Sequence, residues 1–197
     1  MSEEYANNLQ QLHQKFPNKS QKIKVIRKEA NNFIQSWCAN TNWNTTRAVV
    51  FLDPYGMQVE WKTIEAIGKT RGIDLWILFP LGQAVNRLLT RRSVPQGSWA
   101  DRLTIFFGTD EWKDSFYSQP RQLTMFGQNN ELEKTADFDS IGEFFIKRLE
   151  TVFAKVAKNP RPLYNAKNIP IFLLCFASAN PKGAPIAVKI AQHILGS

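Results

Sequence analysis

Two short apolar runs, each stopped by proline, constrain this chain more than any other feature. Arg47 to Leu52 reads Arg-Ala-Val-Val-Phe-Leu and halts at Asp53-Pro54-Tyr55-Gly56, while Ile73 to Phe79 reads Ile-Asp-Leu-Trp-Ile-Leu-Phe and halts at Pro80. Runs this short and this apolar predict strands covered on both faces, as in parallel sheets. Between them Trp61, Ile64 and Ile67 recur at helical spacing, closing near Gly68 or Gly72. Strand, helix and strand in that order specify a right-handed crossover between parallel neighbours.

The flanking sequence extends the alternation. Tyr5, Leu9, Leu12 and Phe16 form one helical face ended by Pro17-Asn18, and Lys22 to Arg27, with Ile23 and Val25 on one side, predicts a half-buried strand. Ala30, Phe33, Ile34, Trp37 and Cys38 predict an amphipathic helix, followed by a polar loop to Thr46. Beyond Pro80, the residues Leu81, Val85, Leu88 and Leu89 mark a short helix carrying Arg87, with Arg91 and Arg92 on it or just past it.

Residues 93–137 interrupt this rhythm as a helical and loop insertion. Trp99, Leu103, Phe106 and Phe107 predict one helix, and Thr109-Asp110 is placed to cap a second through Trp112, Phe116 and Tyr117. Helical spacing favours these aromatics as the insertion's own small core over a base-stacking surface, which needs exposed rings. The polar stretch 118–136 is read as a loop. Ile141, Phe144, Phe145, Leu149, Val152, Phe153 and Val156 then make the strongest helical stripe. Pro162 to Tyr164, the turn Asn165 to Asn168, and Ile171 to Ala177 predict an antiparallel strand pair. A last helix starting near Pro185 is expected to bury Ile186, Ile190 and Ile194. The expectation is a single α/β domain over 1–197 with a mostly parallel sheet and a C-terminal antiparallel pair.

Composition narrows the function classes. With 197 residues and 43% hydrophobic content, the chain is long and apolar enough to bury a full core. Its longest apolar stretch, Ile73 to Leu81, falls far short of the roughly 20 residues that span a bilayer. The acidic start, Met-Ser-Glu-Glu-Tyr, lacks the apolar core of a secretory signal, so a cytoplasmic location away from membranes is expected. Cys38 and Cys175 are far apart and are read as buried thiols. His13 and His193 pair with no Cys or His at ligand spacing, so no metal site is expected. The net charge of +8 concentrates in Lys19–Lys28, Arg87–Arg102 and Lys147–Lys167. That excess fits either a polyanionic partner, through counterion release from phosphates, or a solubilising surface.

The residues best placed for chemistry follow the first apolar run. Ligands of open parallel sheets sit beyond the carboxyl ends of the strands. There Pro54 holds Asp53 extended and Gly56 permits the turn, so Asp53 is expected to face outward with Tyr55 two residues away. The plain alternative is a strand-ending turn with Asp53 capping the next helix. At the other end of the chain, Lys182-Gly183 at a helix start suits an anion or, equally, a solvated turn.

The Asp53-Pro54-Tyr55-Gly56 arrangement resembles the Asp-Pro-Pro-Tyr-type motif of S-adenosylmethionine-dependent methyltransferases acting on exocyclic amines of bases, with Gly56 where that motif differs. There the acid accepts hydrogen bonds from the target amine and the ring stacks on the flipped base. A wider resemblance covers nearly the whole chain. Phe51 to Gly56, Leu75 to Leu81 with Asn86-Arg87, Phe107 to Asp110, and Leu173 to Gly183 together look like the bacterial three-Cys-motif partner protein family.

The resemblance implies a Rossmann-like, methyltransferase-type fold, association with a three-cysteine protein, S-adenosylmethionine as cofactor, and a role in nucleic-acid modification or mobile-element defence. It also implies an earlier strand, glycine-rich turn, helix and second strand that have no counterpart here. No Gly-x-Gly turn follows a strand in this chain. Glu29 stands where such folds often place an acidic adenine contact, and otherwise reads as a helix-start acid. A sheet lacking that portion is expected to be partial, unable to bind cofactor unaided, and open at one edge to another chain or to homo-oligomerisation.

Overall fold

In the computed structural model, residues 11, 14–24, 26–119 and 132–196 are described. A 3₁₀ turn spans Pro17–Lys22, and residues 23, 24, 26 and 27 carry no regular structure, so the expected strand over 22–27 is absent among the described residues. Most of the expected first helix, and most of the loop 118–136, lie outside the described residues.

The central elements follow the predicted alternation. Helix α1 (Ala30–Asn40) leads to β1 (Ala48–Leu52), then α2 (Trp61–Lys69) and β2 (Ile73–Phe79). Strands β1 and β2 pair in parallel, with Val49 beside Asp74 and Phe51 beside Trp76. After Pro80 the chain makes a π-helical turn, Leu81–Val85, continuing through one α turn at Asn86–Leu88. Helices α3 (Ser98–Phe107) and α4 (Trp112–Phe116) occupy the stretch expected as an insertion, followed by the short pair β3 (Tyr117–Ser118) and β4 (Glu133–Lys134). Helix α5 (Phe138–Glu150), strands β5 (Lys155–Val156), β6 (Arg161–Tyr164) and β7 (Pro170–Ser178), and helix α6 (Ala184–Gly196) complete the chain.

The five-stranded sheet runs β1-β2-β7-β5, with β6 also on β7. Only β1 and β2 are parallel among the described strands; β7 runs antiparallel to β2, β5 and β6. The sheet is therefore mixed, not mostly parallel. Its antiparallel β6–β7 pair is the one expected from the sequence. Asn165 shapes the turn between them, its side-chain oxygen accepting from the N–H groups of Lys167 and Ile169.

One face of the sheet carries the core. Leu75, Ile77 and Phe79 of β2 are fully buried there with Ile64 and Ile67 of α2 and Phe145 of α5. Phe79 stacks on Phe145 at 4.2 Å between centroids, and Phe106 and Phe107 of α3 pack on Phe79. The insertion's aromatics thus join the main core instead of forming a separate one. Each such ring stabilises the fold by about 1.5–3 kcal/mol through burial alone. Gly108 ends α3 at φ +68°, pressed against the Trp61 ring, a position that admits no side chain. Helix α5 stops at Glu150, so Val156 belongs to a strand and not to the helical stripe.

The other face is thinly covered. Helix α6 packs Val188, Ala191 and Leu195 over Phe176, with Trp76 and Leu174 beside them. Ile186, Ile190 and Ile194, expected to be buried, are exposed instead, as are Val49 and Phe51 of β1. Strand β1 is therefore covered on one face only. The Asn159 side chain donates to the Gln192 carbonyl of α6 at 3.0 Å, tying the helix to the segment after β5.

Candidate functional site

The rim formed by the carboxyl ends of β1 and β2 gathers most of the residues singled out from sequence. Leaving β1, Asp53 is exposed, Pro54 is buried, and Tyr55 is 88% exposed. Gly56 adopts φ +64° with open space around it, so the turn needs its left-handed backbone and not its smallness. Asp53 does not cap α2: that helix begins after Glu60 with no side-chain cap. Neither depression described below is lined by Asp53 or Tyr55.

Asn31 ties this rim to the start of α1. Its side-chain nitrogen donates to the Gln58 carbonyl at 2.9 Å, and its oxygen accepts from the Glu60 N–H at 3.0 Å and the Thr63 hydroxyl at 2.8 Å. Half-buried and fully used, this carboxamide anchors the second half of the Asp53–Glu60 loop. Sequence reading missed it, since an asparagine in a first helical turn carries no distinctive spacing.

Glu29 is the N-cap of α1. One carboxylate oxygen accepts from the Asn31 N–H at 2.9 Å and the other from the Asn32 N–H at 2.7 Å. The backbone bonds from Asn32 and then Asn31 hold its pKa below the usual glutamate value. A shallow depression of about 410 Å³ opens beside it, lined by Lys28, Glu29, Asn32, Phe33 and Ser36.

The basic stretch follows the helical turns that come after the neighbouring strand. Arg87, Arg91 and Arg92 are exposed on and after the helical turns that follow Pro80. Lys134 joins them: its N–H donates to the Arg91 carbonyl at 3.0 Å and its ammonium to the Asn86 side chain. Burial, with Arg91 adding repulsion, lowers the Lys134 pKa. Gly82 in the π turn lies against the Pro170 carbonyl, where any side chain collides, so this segment is held close to the start of β7.

Lys182 is not part of this constellation. Because β7 runs antiparallel, its end pairs with the beginning of β2, Ser178 opposite Asp74. Lys182 and the start of α6 therefore lie at the opposite rim, where the Lys182 N–H donates to the Asn180 side chain at 3.2 Å. A second depression of about 480 Å³ lies between α5 and β6, lined by Gly142, Glu143, Ile146, Pro162 and Tyr164 among others, away from Asp53.

No family model, curated protein or solved structure matches this chain. Among the described residues no helix is long and apolar enough to cross a membrane, and no group of three or more His, Cys, Asp or Glu residues is placed to hold a metal ion. The residues present do not make an S-adenosylmethionine site by themselves. Among the described residues no glycine-rich turn follows a strand, and both oxygens of Glu29, the one acid suggested for that contact, are already engaged by backbone N–H groups. What the rim offers is an exposed carboxylate, an exposed phenol ring and a row of exposed guanidinium groups.

Proposed function

We propose that this chain is the later part of a Rossmann-like, methyltransferase-type sheet, of the three-Cys-motif partner kind, that acts on or beside nucleic acid and does not transfer methyl groups alone. The observation that carries this reading is the shared rim. Adjacent parallel strands end at this edge, β1 running directly into Asp53–Gly56 and β2 into the helical turns that carry Arg87, with Arg91 and Arg92 beyond them. Ligands of such sheets gather at that edge. A carboxylate there accepts hydrogen bonds from an exocyclic amine, a phenol ring two residues on stacks on an unpaired base, and arginines gain by releasing counterions from phosphates.

The lack of any Gly-x-Gly turn supports the partial-sheet part of the reading, since cofactor binding then needs residues from another polypeptide. The three-Cys-motif protein is the partner that the sequence resemblance implies. A second reading, a noncatalytic basic module that docks nucleic acid or a protein, is favoured by the exposure of Tyr55 and the commitment of Glu29 to its helix.

Calorimetric titration separates the two. The first reading expects no S-adenosylmethionine binding by this chain alone and measurable binding once the three-Cys-motif protein is added. Absence of binding in both conditions, with oligonucleotide binding retained, selects the module. Loss of oligonucleotide binding as well contradicts both.

A further inference from the structure

The outer edge of β1 has a definite hydrogen-bonding parity. Ala48 donates its N–H to the Gly72 carbonyl at 3.1 Å, so the even-numbered residues of β1 turn their backbone groups toward β2. In a parallel strand both groups of a residue point the same way, and the odd-numbered residues therefore turn theirs outward. Val49 and Phe51 present N–H and C=O groups that no described strand pairs, and the same alternation carried one residue past each end adds Arg47 and Asp53. The strand Ala48-Val49-Val50-Phe51-Leu52 holds no lysine, proline or charge to discourage edge pairing.

We propose that β1 pairs antiparallel with β1 of a second copy of this chain, across a two-fold axis through Val50. In that register Val49 faces Phe51 of the second copy. Both are outward residues, so they exchange both backbone hydrogen bonds, while Val50 faces its counterpart in the closer, non-hydrogen-bonded position. Ala48 faces Leu52. Val49 and Phe51, which are 68% and 59% exposed, then lie side by side with their counterparts on one face of a continuous sheet.

Charge selects this register. It sets Arg47 opposite Asp53 of the second copy, once on each side of the axis, and both side chains are exposed in the single chain. The nearest symmetric alternatives of the same parity pair Val49 or Phe51 with itself and set Arg47 or Asp53 against an apolar residue. A one-residue slip opposes outward to inward backbone groups. The contact is isologous, so it closes as a dimer and does not propagate. It engages Asp53, which the proposed function gives to a ligand, so its test reads association in the absence of ligand.

Sedimentation equilibrium of the full chain at about 50 µM, a concentration that populates even a weak, small interface, tests this. The expected result is a dimer. Arg47→Glu, which sets two acids against each other, raises the dimer Kd at least tenfold, and adding Asp53→Arg to it restores the wild-type value. Arg47 also donates to the Trp43 and Thr46 carbonyls, so circular dichroism accompanies each variant, and rescue by the double swap is an outcome that misfolding does not produce. Val49→Lys gives a folded monomer. A wild-type monomer, a dimer indifferent to Arg47→Glu, or a double variant no better than the single overturns the proposal.

Discussion

Asn31 and Glu60, twenty-nine residues apart, meet at 3.0 Å where the Glu60 backbone N–H donates to the Asn31 side chain. Through this contact, and the companion bond to the Gln58 carbonyl, the first turn of α1 holds the loop that carries Asp53 and Tyr55. Asn31→Ala strands the Glu60 N–H and leaves the Thr63 hydroxyl only the bond it accepts from Gln35, and is expected to cost about 1–3 kcal/mol by urea denaturation. Hydrogen exchange over residues 57–63 should accelerate in the same variant. Unchanged exchange there contradicts the anchoring role.

Two glycines with nearly the same positive φ should respond differently to alanine. Gly108, at φ +68°, leaves a new methyl 2.0 Å from the Trp61 ring, whereas Gly56, at φ +64°, meets nothing within 4 Å. Gly56→Ala is expected to cost about 1 kcal/mol, the left-handed penalty alone. Gly108→Ala adds overpacking of the main core and should cost about 3 kcal/mol or more. Equal melting-temperature losses in the two variants run against this packing.

Acid should weaken the helix starts. Glu29 is held below its ordinary pKa by the Asn32 and Asn31 N–H groups, and Asp137, the N-cap of α5, by the backbone N–H and then the side chain of Ser140. A lowered folded-state pKa gives stability that is fully present above the unfolded carboxylate value and is lost as pH falls through the folded value. Thermal melts from pH 7 downward should decline in that window. Glu29→Gln should flatten the decline, and an unaltered acid limb counts against the cap.

Neither cysteine should react in the native protein. Burial raises the Cys38 pKa to about 11 and pushes that of Cys175 higher still, so almost no thiolate exists at neutral pH. Alkylation with iodoacetamide at neutral pH is expected to label neither residue until denaturant is added. Rapid labelling of Cys175, which is fully buried, contradicts the placement of β7 in the sheet.

Much of this architecture was legible from periodicity. The limits of β1 and β2, the crossover helix between them and the β6–β7 hairpin follow from apolar runs, proline stops and turn residues. Strand direction was not legible, because no local pattern states whether β7 approaches β2 from its top or its bottom; that choice also sends Lys182 to the far rim. The α6 stripe was misread for a packing reason. Trp76 and Phe176, 4.7 Å apart, already fill the space above the sheet, so the helix approaches with Ala184, Val188 and Ala191 and leaves its isoleucines outside. The clamp at Asn31 was invisible because its partners come from a loop far along the chain. The Asp53 turn and the arginine stretch were legible as rim residues, since both follow strands that end at proline.

The salt dependence of oligonucleotide binding tests the rim most directly. Fluorescence anisotropy with a single-stranded DNA, repeated from low to physiological salt, should show affinity falling steadily as salt rises. The variant carrying Arg87→Ala, Arg91→Ala and Arg92→Ala should lower the slope of log affinity against log salt by about 2, as expected for three lost phosphate contacts on a single strand. No binding at low salt, or a triple variant with the wild-type slope, contradicts a nucleic-acid-facing rim.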